Sequence, residues 1–353
     1  PDSAQALTLL AIAHQGNGET ELAKENLARA VEASPGNAEA RLRLAQFLAS
    51  TGDIEGALEQ VNAGLEIEPA NVAMIRAKAE ILAKQGNAEE LEETLTMLEQ
   101  ASPETGLGAF GKGRLYKQQK KYPEAVAAFD QALAREPGSV LALTEVVNTE
   151  IAMGNPDAAI KRLDTVLKEN PEHPAAHDLL GLAYAAKKDF ARAEQEFARQ
   201  LEINPNSSVV YMQLAGARSA QGNTAGAEAA LKKGLEVLPD DTRLTVALAT
   251  FYGQQGDMDK AAAVYTKALE DSPDESRYVL ALAGIRERQQ QYEEAIKLYE
   301  GLLASKPDNL LATNNLAALL ADHRTDEASL NQAKALADKL VDAKQPALQD
   351  TVG

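Results

Sequence analysis

The sequence predicts an all-α solenoid of stacked helix–turn–helix repeats. Three observations predict it. Ten of the 14 prolines, Pro1, Pro35, Pro69, Pro103, Pro137, Pro171, Pro205, Pro239, Pro273 and Pro307, stand on one 34-residue register. A fixed period of this length is the mark of a repeat architecture. Small, large apolar and glycine residues also recur at set places within the register. Finally, 45% hydrophobic and 25% charged residues describe a folded chain, and 4% aromatics without Trp favour helix over sheet.

Setting the register proline at position 32 starts the repeats at residues 4, 38, 72, 106, 140, 174, 208, 242, 276 and 310. The first helix carries a small residue at position 8, as in Ala11, Ala45, Gly113, Gly181 and Ala283. The turn carries Gly at position 15 in Gly18, Gly52, Gly86, Gly154, Gly222 and Gly256, which supplies a left-handed residue to end the helix. The second helix carries Ala at position 20 in most repeats, with Leu91 as the exception. Small residues at positions 8 and 20 let two antiparallel helices approach. Position 24 fills the seam with Leu27, Val61, Leu95, Phe129, Leu163, Phe197, Leu231, Tyr265 and Tyr299. The register proline then stops the second helix, because it has no N–H with which to continue. Position 7, apolar in most repeats, is Lys78 and Lys112 in the third and fourth, so packing there should depart from the rule.

Nine full repeats and a degenerate tenth follow from this register. The second helix of the tenth is expected at 331–343, displaced by about four residues. Pro1, Asp2 and Ser3 read as positions 32 to 34 of a preceding repeat, and 346–353 as the start of a further one. The chain then reads as a single solenoid over 1–353, a fragment of a longer array with exposed apolar ends prone to associate end to end.

These positions resemble the tetratricopeptide repeat (TPR) family, over nearly the whole chain. The resemblance implies a right-handed superhelix with first helices on a concave face and second helices on the convex back. It further implies that positions 2, 5, 9, 12 and 13 of the first helix face the groove. There the third and fourth repeats carry Arg76, Lys84, Arg114, Lys117 and Gln118, and position 6 of the second adds Arg43. The fourth repeat is the basic one, with Lys112, Arg114, Lys117, Lys120, Lys121 and Arg135 against Glu124, Asp130 and Glu136. In a chain of net charge −18 this is a candidate anion-binding patch, unless Glu89, Glu90, Glu92 and Glu93 neutralise it internally. Over the fifth to eighth repeats the same positions give Leu141, Thr144, Ile151, Leu182, Val209, Met212 and Val246, a candidate apolar strip for a peptide or an amphipathic helix. The family's carboxylate-clamp pattern is not found in three successive repeats.

Other chemistry is thinly represented. Cys is absent, which removes disulfides, thiol catalysis and Cys-ligated metals. The acidic balance argues against nucleic acid, and no stretch of about 18 uncharged apolar residues is present to span a membrane. Gly106-Leu-Gly108-Ala-Phe-Gly111 matches a dinucleotide fingerprint, but a helix rather than a strand is expected before it. Its glycines read instead as a soft point of the solenoid, since Gly costs a helix about 1 kcal/mol against Ala. His173 and His177 have a metal-like spacing without a third ligand. No catalytic constellation, cofactor or metal site is expected.

The expected function is a non-enzymatic scaffold binding a protein or peptide in its groove. The Ala-rich repeats, the turn around Asn204–Ser207 and the segment 306–340 also resemble bacterial envelope TPR proteins of exopolysaccharide export and exosortase (PEP-CTERM) sorting, often lipoproteins. That resemblance implies a periplasmic or outer-membrane-associated protein; the alternative is cytoplasmic. Two rivals stand beside it: a regulatory segment of a larger enzyme such as a glycosyltransferase, and a direct binder of an anionic polysaccharide.

Overall fold

The computed structural model describes residues 3–342, and among them every regular element is helical. Internal contacts divide the chain into two bodies, Pro1–Lys187 and Lys188–Gly353. The first holds α1 (Ala4–Gly16), α2 (Thr20–Ala33), α3 (Ala38–Thr51), α4 (Ile54–Ile67), α5 (Val72–Gln85), α6 (Ala88–Ala101), α7 (Leu107–Gln118), α8 (Tyr122–Arg135), α9 (Val140–Ala152), α10 (Pro156–Glu169) and α11 (Ala176–Ala186). The second holds α12 (Phe190–Ile203), α13 (Ser208–Ala220), α14 (Thr224–Val237), α15 (Thr242–Gln254), α16 (Met258–Asp271), α17 (Ser276–Arg288), α18 (Tyr292–Ser305), α19 (Leu310–His323) and α20 (Glu327–Asp342). Within each body every helix packs on the next in sequence. This is the all-helical hairpin stack that the register predicts.

Local chemistry sets the boundaries. Asn37, Asn71, Ser139, Asp241 and Asn309, all at position 34, cap first helices by accepting a backbone N–H, as Asn37 does from Ala40 at 3.1 Å. Asp53, Asn87, Asp189, Asn223 and Asp257 do the same for second helices. Such caps satisfy donors that a helix start leaves without a partner. At position 15 the chain turns left-handed, as at Gly52 with φ 91°. The repeats without Gly there, at Lys120, Lys188 and Gln290, adopt the same turn with φ near 60°. The tenth repeat abandons it, since Arg324 is extended at φ −124°.

The small and large positions meet as expected. Ala45, Ala57 and Val61 are fully buried together, as are Ala125 and Phe129, and Ala159 and Leu163. A second ladder ties repeats along the stack. Tyr116 donates to Glu92 at 2.6 Å, Arg218 to Glu194 at 2.8 Å and Tyr252 to Glu228 at 2.8 Å, each pair 24 residues apart. On α1, Leu9, Leu10 and Ile12 are exposed.

The second helix of the tenth repeat corrects the expectation. It starts at Glu327, four residues before 331, so it lies one residue beyond the regular start rather than about four. Asp326 makes the earlier start possible by accepting from the Ser329 amide at 2.9 Å. The assignments made for Pro1, Asp2 and 346–353 fall outside the described residues.

Candidate ligand groove

In the first body, first helices pack on one another between α1 and α3, α3 and α5, α7 and α9, and α9 and α11. Among the described residues α5 and α7 do not pack closely, and a groove of about 500 Å³ opens beside them. The sequence marks α7 as drawn towards α6. Position 7, apolar in the other repeats, is lysine here. Lys78 turns to Glu90 at 2.9 Å and Lys112 to Glu99 at 2.6 Å, so both serve α6. Glycines draw α7 the same way. A Cβ at Gly108 would lie 2.5 Å from the Glu99 side chain, and one at Gly111 would collide with Leu95.

Leu91, Leu95 and Leu115 form the apolar floor, and Ala79 and Ala83 leave the α5 wall low. Glu80, Arg114, Lys117, Gln118 and Glu145 bring polar groups to the same space. Arg76, Lys84 and Arg114 are exposed, and no hydrogen bond or ion pair engages them among the described residues. Lys117 is held by Glu145 at 2.6 Å, and Arg43 by Glu39 at 2.8 Å. Gln118 is exposed on the rim.

Two of the four expected neutralisers have other work. Glu90 engages Lys78 and Glu92 accepts from the Tyr116 hydroxyl, while the carboxylate on Lys117 comes from α9. That hydrogen bond to Glu92, together with burial, pushes the Tyr116 hydroxyl up to about 12. The groove therefore pairs one unpartnered cation, Arg114, with an apolar floor, while Arg76 and Lys84 stand exposed on α5 outside its lining; cation and floor together suit anions bearing apolar groups.

The apolar candidates are divided between the bodies. Leu141, 70% exposed, stands open in the first body, where Thr144, Ile151 and Leu182 are half-buried. In the second body Val209 is exposed, and Met212 and Val246 are half-buried. Position 2 thus faces solvent, while positions 5, 9 and 12 lend part of their surface to neighbouring helices.

The glycine motif is a packing device. What precedes it is α6, and α7 begins at Leu107, with the Gly106 amide donating to Glu136 at 2.9 Å. A Cβ at Gly113 would lie 2.5 Å from the Phe129 ring. Each glycine is therefore filled by a neighbouring helix, leaving no cradle for phosphate. His173 is buried and accepts from the Ala175 amide at 3.3 Å, and desolvation lowers its pKa. His177 Nε2 lies 3.0 Å from the Pro171 carbonyl. Among the described residues no three His, Asp or Glu converge as a metal site, and no helix is long and apolar enough to cross a membrane.

Two of the spaces in the second body lie outside the sites expected from the sequence. About 570 Å³ opens where Gly253 and Gly284 leave room, rimmed by Gln254 and Arg288. Leu280, Gly284 and Arg288 of its lining stand at groove positions 5, 9 and 13 of the ninth repeat, beyond the repeats in which a basic patch or an apolar strip is expected. About 640 Å³ lies among α14, α15 and α16, with Lys232, Lys260 and Lys267 beside Glu236 and Asp271. Second-helix residues line most of it, and no groove rule covers them.

Comparison with known proteins agrees with this architecture. The family model described as tetratricopeptide repeat matches residues 14–81, 116–183, 184–250 and 252–322, more than half of the chain. No curated protein matches the sequence. A tetratricopeptide repeat protein from Parabacteroides merdae ATCC 43184 is 20% identical, with 71% of this chain and 99% of that one covered and a TM-score of 0.47. A thermophilic TPR protein of Thermus thermophilus is 24% identical, covering 51% and 98%, with a TM-score of 0.39. The structure of Naa15/Naa10 bound to HypK-THB is 18% identical over 89% of this chain and 48% of that one, with a TM-score of 0.46.

Proposed function

Because the chain belongs to the tetratricopeptide repeat family, we propose that it is a non-enzymatic protein-interaction scaffold that holds an anionic partner segment in the groove beside α5 and α7. One observation carries this reading. Arg76, Lys84 and Arg114 stand exposed without a partner among the described residues, in a protein whose net charge is −18. Arg114 lines the groove and Arg76 and Lys84 stand on the adjoining α5, so the three make a positive surface complementary to an anionic segment.

The setting proposed is bacterial envelope work in exopolysaccharide export or protein sorting, at the periplasm or outer membrane. It is supported by the likeness of 306–340 and the inter-repeat turns to envelope proteins of this family. The 34-residue register, carried by the prolines from Pro1 to Pro307, supports reading the chain as one array. The exposed Leu9, Leu10 and Ile12 support end-to-end association as an accessory property. An anionic polysaccharide is a second reading, since the same cations suit uronates.

The test is purification of the protein with its partners from its native host, beside an Arg76→Glu/Arg114→Glu variant. Partners retained by the wild type and lost by the variant, at equal thermal stability, support the reading. Partners retained by both contradict it.

A further inference from the structure

We propose that Glu145 is a built-in competitor at this groove, whose carboxylate holds Lys117 in the free protein and is displaced by a carboxylate of the bound partner. The inference rests on the groove reading above and names its ligand class: a polypeptide segment that alternates acidic and apolar side chains.

The helices around the groove carry three lysine–carboxylate pairs, of which only Lys117–Glu145 lines it, and their lysines are not alike. Lys78–Glu90 and Lys112–Glu99 tuck their lysines against the protein, at 14% and 16% side-chain exposure. Lys117–Glu145 closes at 2.6 Å with its lysine 33% exposed, whereas its carboxylate, at 30%, is about as open as Glu99 at 29% and less open than Glu90 at 38%. Pairs this open to water hold with modest affinity, about fivefold at most, so an incoming carboxylate can exchange with Glu145. Arg114 lies three residues before Lys117 on α7, exposed and unpartnered among the described residues. Residues so spaced share one helix face. An incoming anion thus gains a contact on Arg114 as well as the one taken from Glu145.

The remaining walls select within anions. Leu91, Leu95 and Leu115 offer an apolar floor that a hydrated sugar acid would leave unused. Glu80 on the α5 wall repels a chain charged at every unit. A segment with alternate carboxylates and apolar groups satisfies both, placing an apolar side chain on the floor between its charges.

The test uses the full chain and a fluorescein-labelled ten-residue peptide of alternating aspartate and leucine, read by fluorescence anisotropy. Glu145→Gln is expected to tighten binding about threefold, Glu145→Asp to tighten it less, and Arg114→Ala to weaken it about tenfold. In a Lys117→Ala background, Glu145→Gln should bring no gain. Thermal melts establish that each variant is folded, and Glu145→Asp carries the test if Glu145→Gln does not fold. Equal affinity of the wild type and both Glu145 variants, or a gain that persists without Lys117, overturns the competitor and leaves the groove reading standing. Absence of peptide binding to any of these proteins overturns both. Tighter binding of a uronate oligomer than of the peptide overturns the polypeptide class and favours a polysaccharide.

Discussion

The turn at position 15 offers a test of how the register shapes the fold. Gly52 has φ 91° and ψ 0°, beyond the left-handed basin that other residues enter at φ of about 50–70°. A Cβ there would meet nothing within 4 Å, so Gly52→Ala changes backbone preference and unfolded-chain entropy without a packing change. The left-handed penalty for an L-residue is about 1–2 kcal/mol. Restriction of the unfolded chain returns about 0.4–1 kcal/mol. The expected net loss is about 1 kcal/mol. Lys120 and Gln290, at φ 60°, sit inside the basin, so Lys120→Gly and Gln290→Gly should stabilise by only about 0.5 kcal/mol. Repeat proteins open locally, so the assay is amide hydrogen exchange read by mass spectrometry on α3, α4, α7 and α8. Gly52→Ala should speed exchange in α3 and α4 about fivefold. Unchanged exchange in α3 and α4, or faster exchange in α7 and α8 after Lys120→Gly, would refute the reasoning.

Other consequences follow from packing and charge. Gly113→Ala should destabilise by about 1–3 kcal/mol despite alanine's better helix propensity, because its Cβ meets the Phe129 ring at 2.5 Å; a stabilised melt would count against the close fit of α7 on α8. Arg162 bridges Asp130 and Glu150, and the Glu150 side chain is only 7% exposed, so Arg162→Met should cost about 3 kcal/mol in chemical denaturation. The hydrogen bond to Glu92 and burial raise the Tyr116 hydroxyl from 10.0 to about 12, so its contribution is full below pH 10 and lost as pH rises towards 12. Absorbance titration should show Glu92→Gln ionising Tyr116 at lower pH. The Asp241 carboxyl is held at about 2 by the Arg243 guanidinium, so its contribution is present above about pH 4 and lost as pH falls towards 2. Asp241→Asn, melted over that range, should flatten the acid limb; an unaltered limb would speak against the assignment.

Prolines and glycines made the fold legible because each acts on its own backbone. Pro35 or Gly52 needs no distant partner to end a helix, so the 34-residue register predicts the hairpins directly. The second helix of the tenth repeat was misplaced because Asp326 supplies a cap that the register does not mark. The late starts of α7 and α11 escaped for a similar reason. Gly106 is tied to Glu136, 30 residues away, and Pro174 follows His173 in the turn.

The groove was legible in part. Lys78 and Lys112 break the position-7 rule and turn to α6, and Arg76, Lys84 and Arg114 stand at groove positions. The partner of Lys117 was not legible. Charges near in sequence suggested the α6 glutamates, whereas the fold brings Glu145 from 28 residues downstream. The Tyr116, Arg218 and Tyr252 ladder does leave a sequence trace, since each meets a Glu 24 residues earlier.

Hydrogen exchange of the full chain with and without the aspartate–leucine peptide locates the ligand on the protein without assuming a site. Slowed exchange concentrated in α5 and α7, weakened by Arg76→Glu/Arg114→Glu, is the predicted result. Protection centred on α14 to α16, or protection that survives those substitutions, would contradict it.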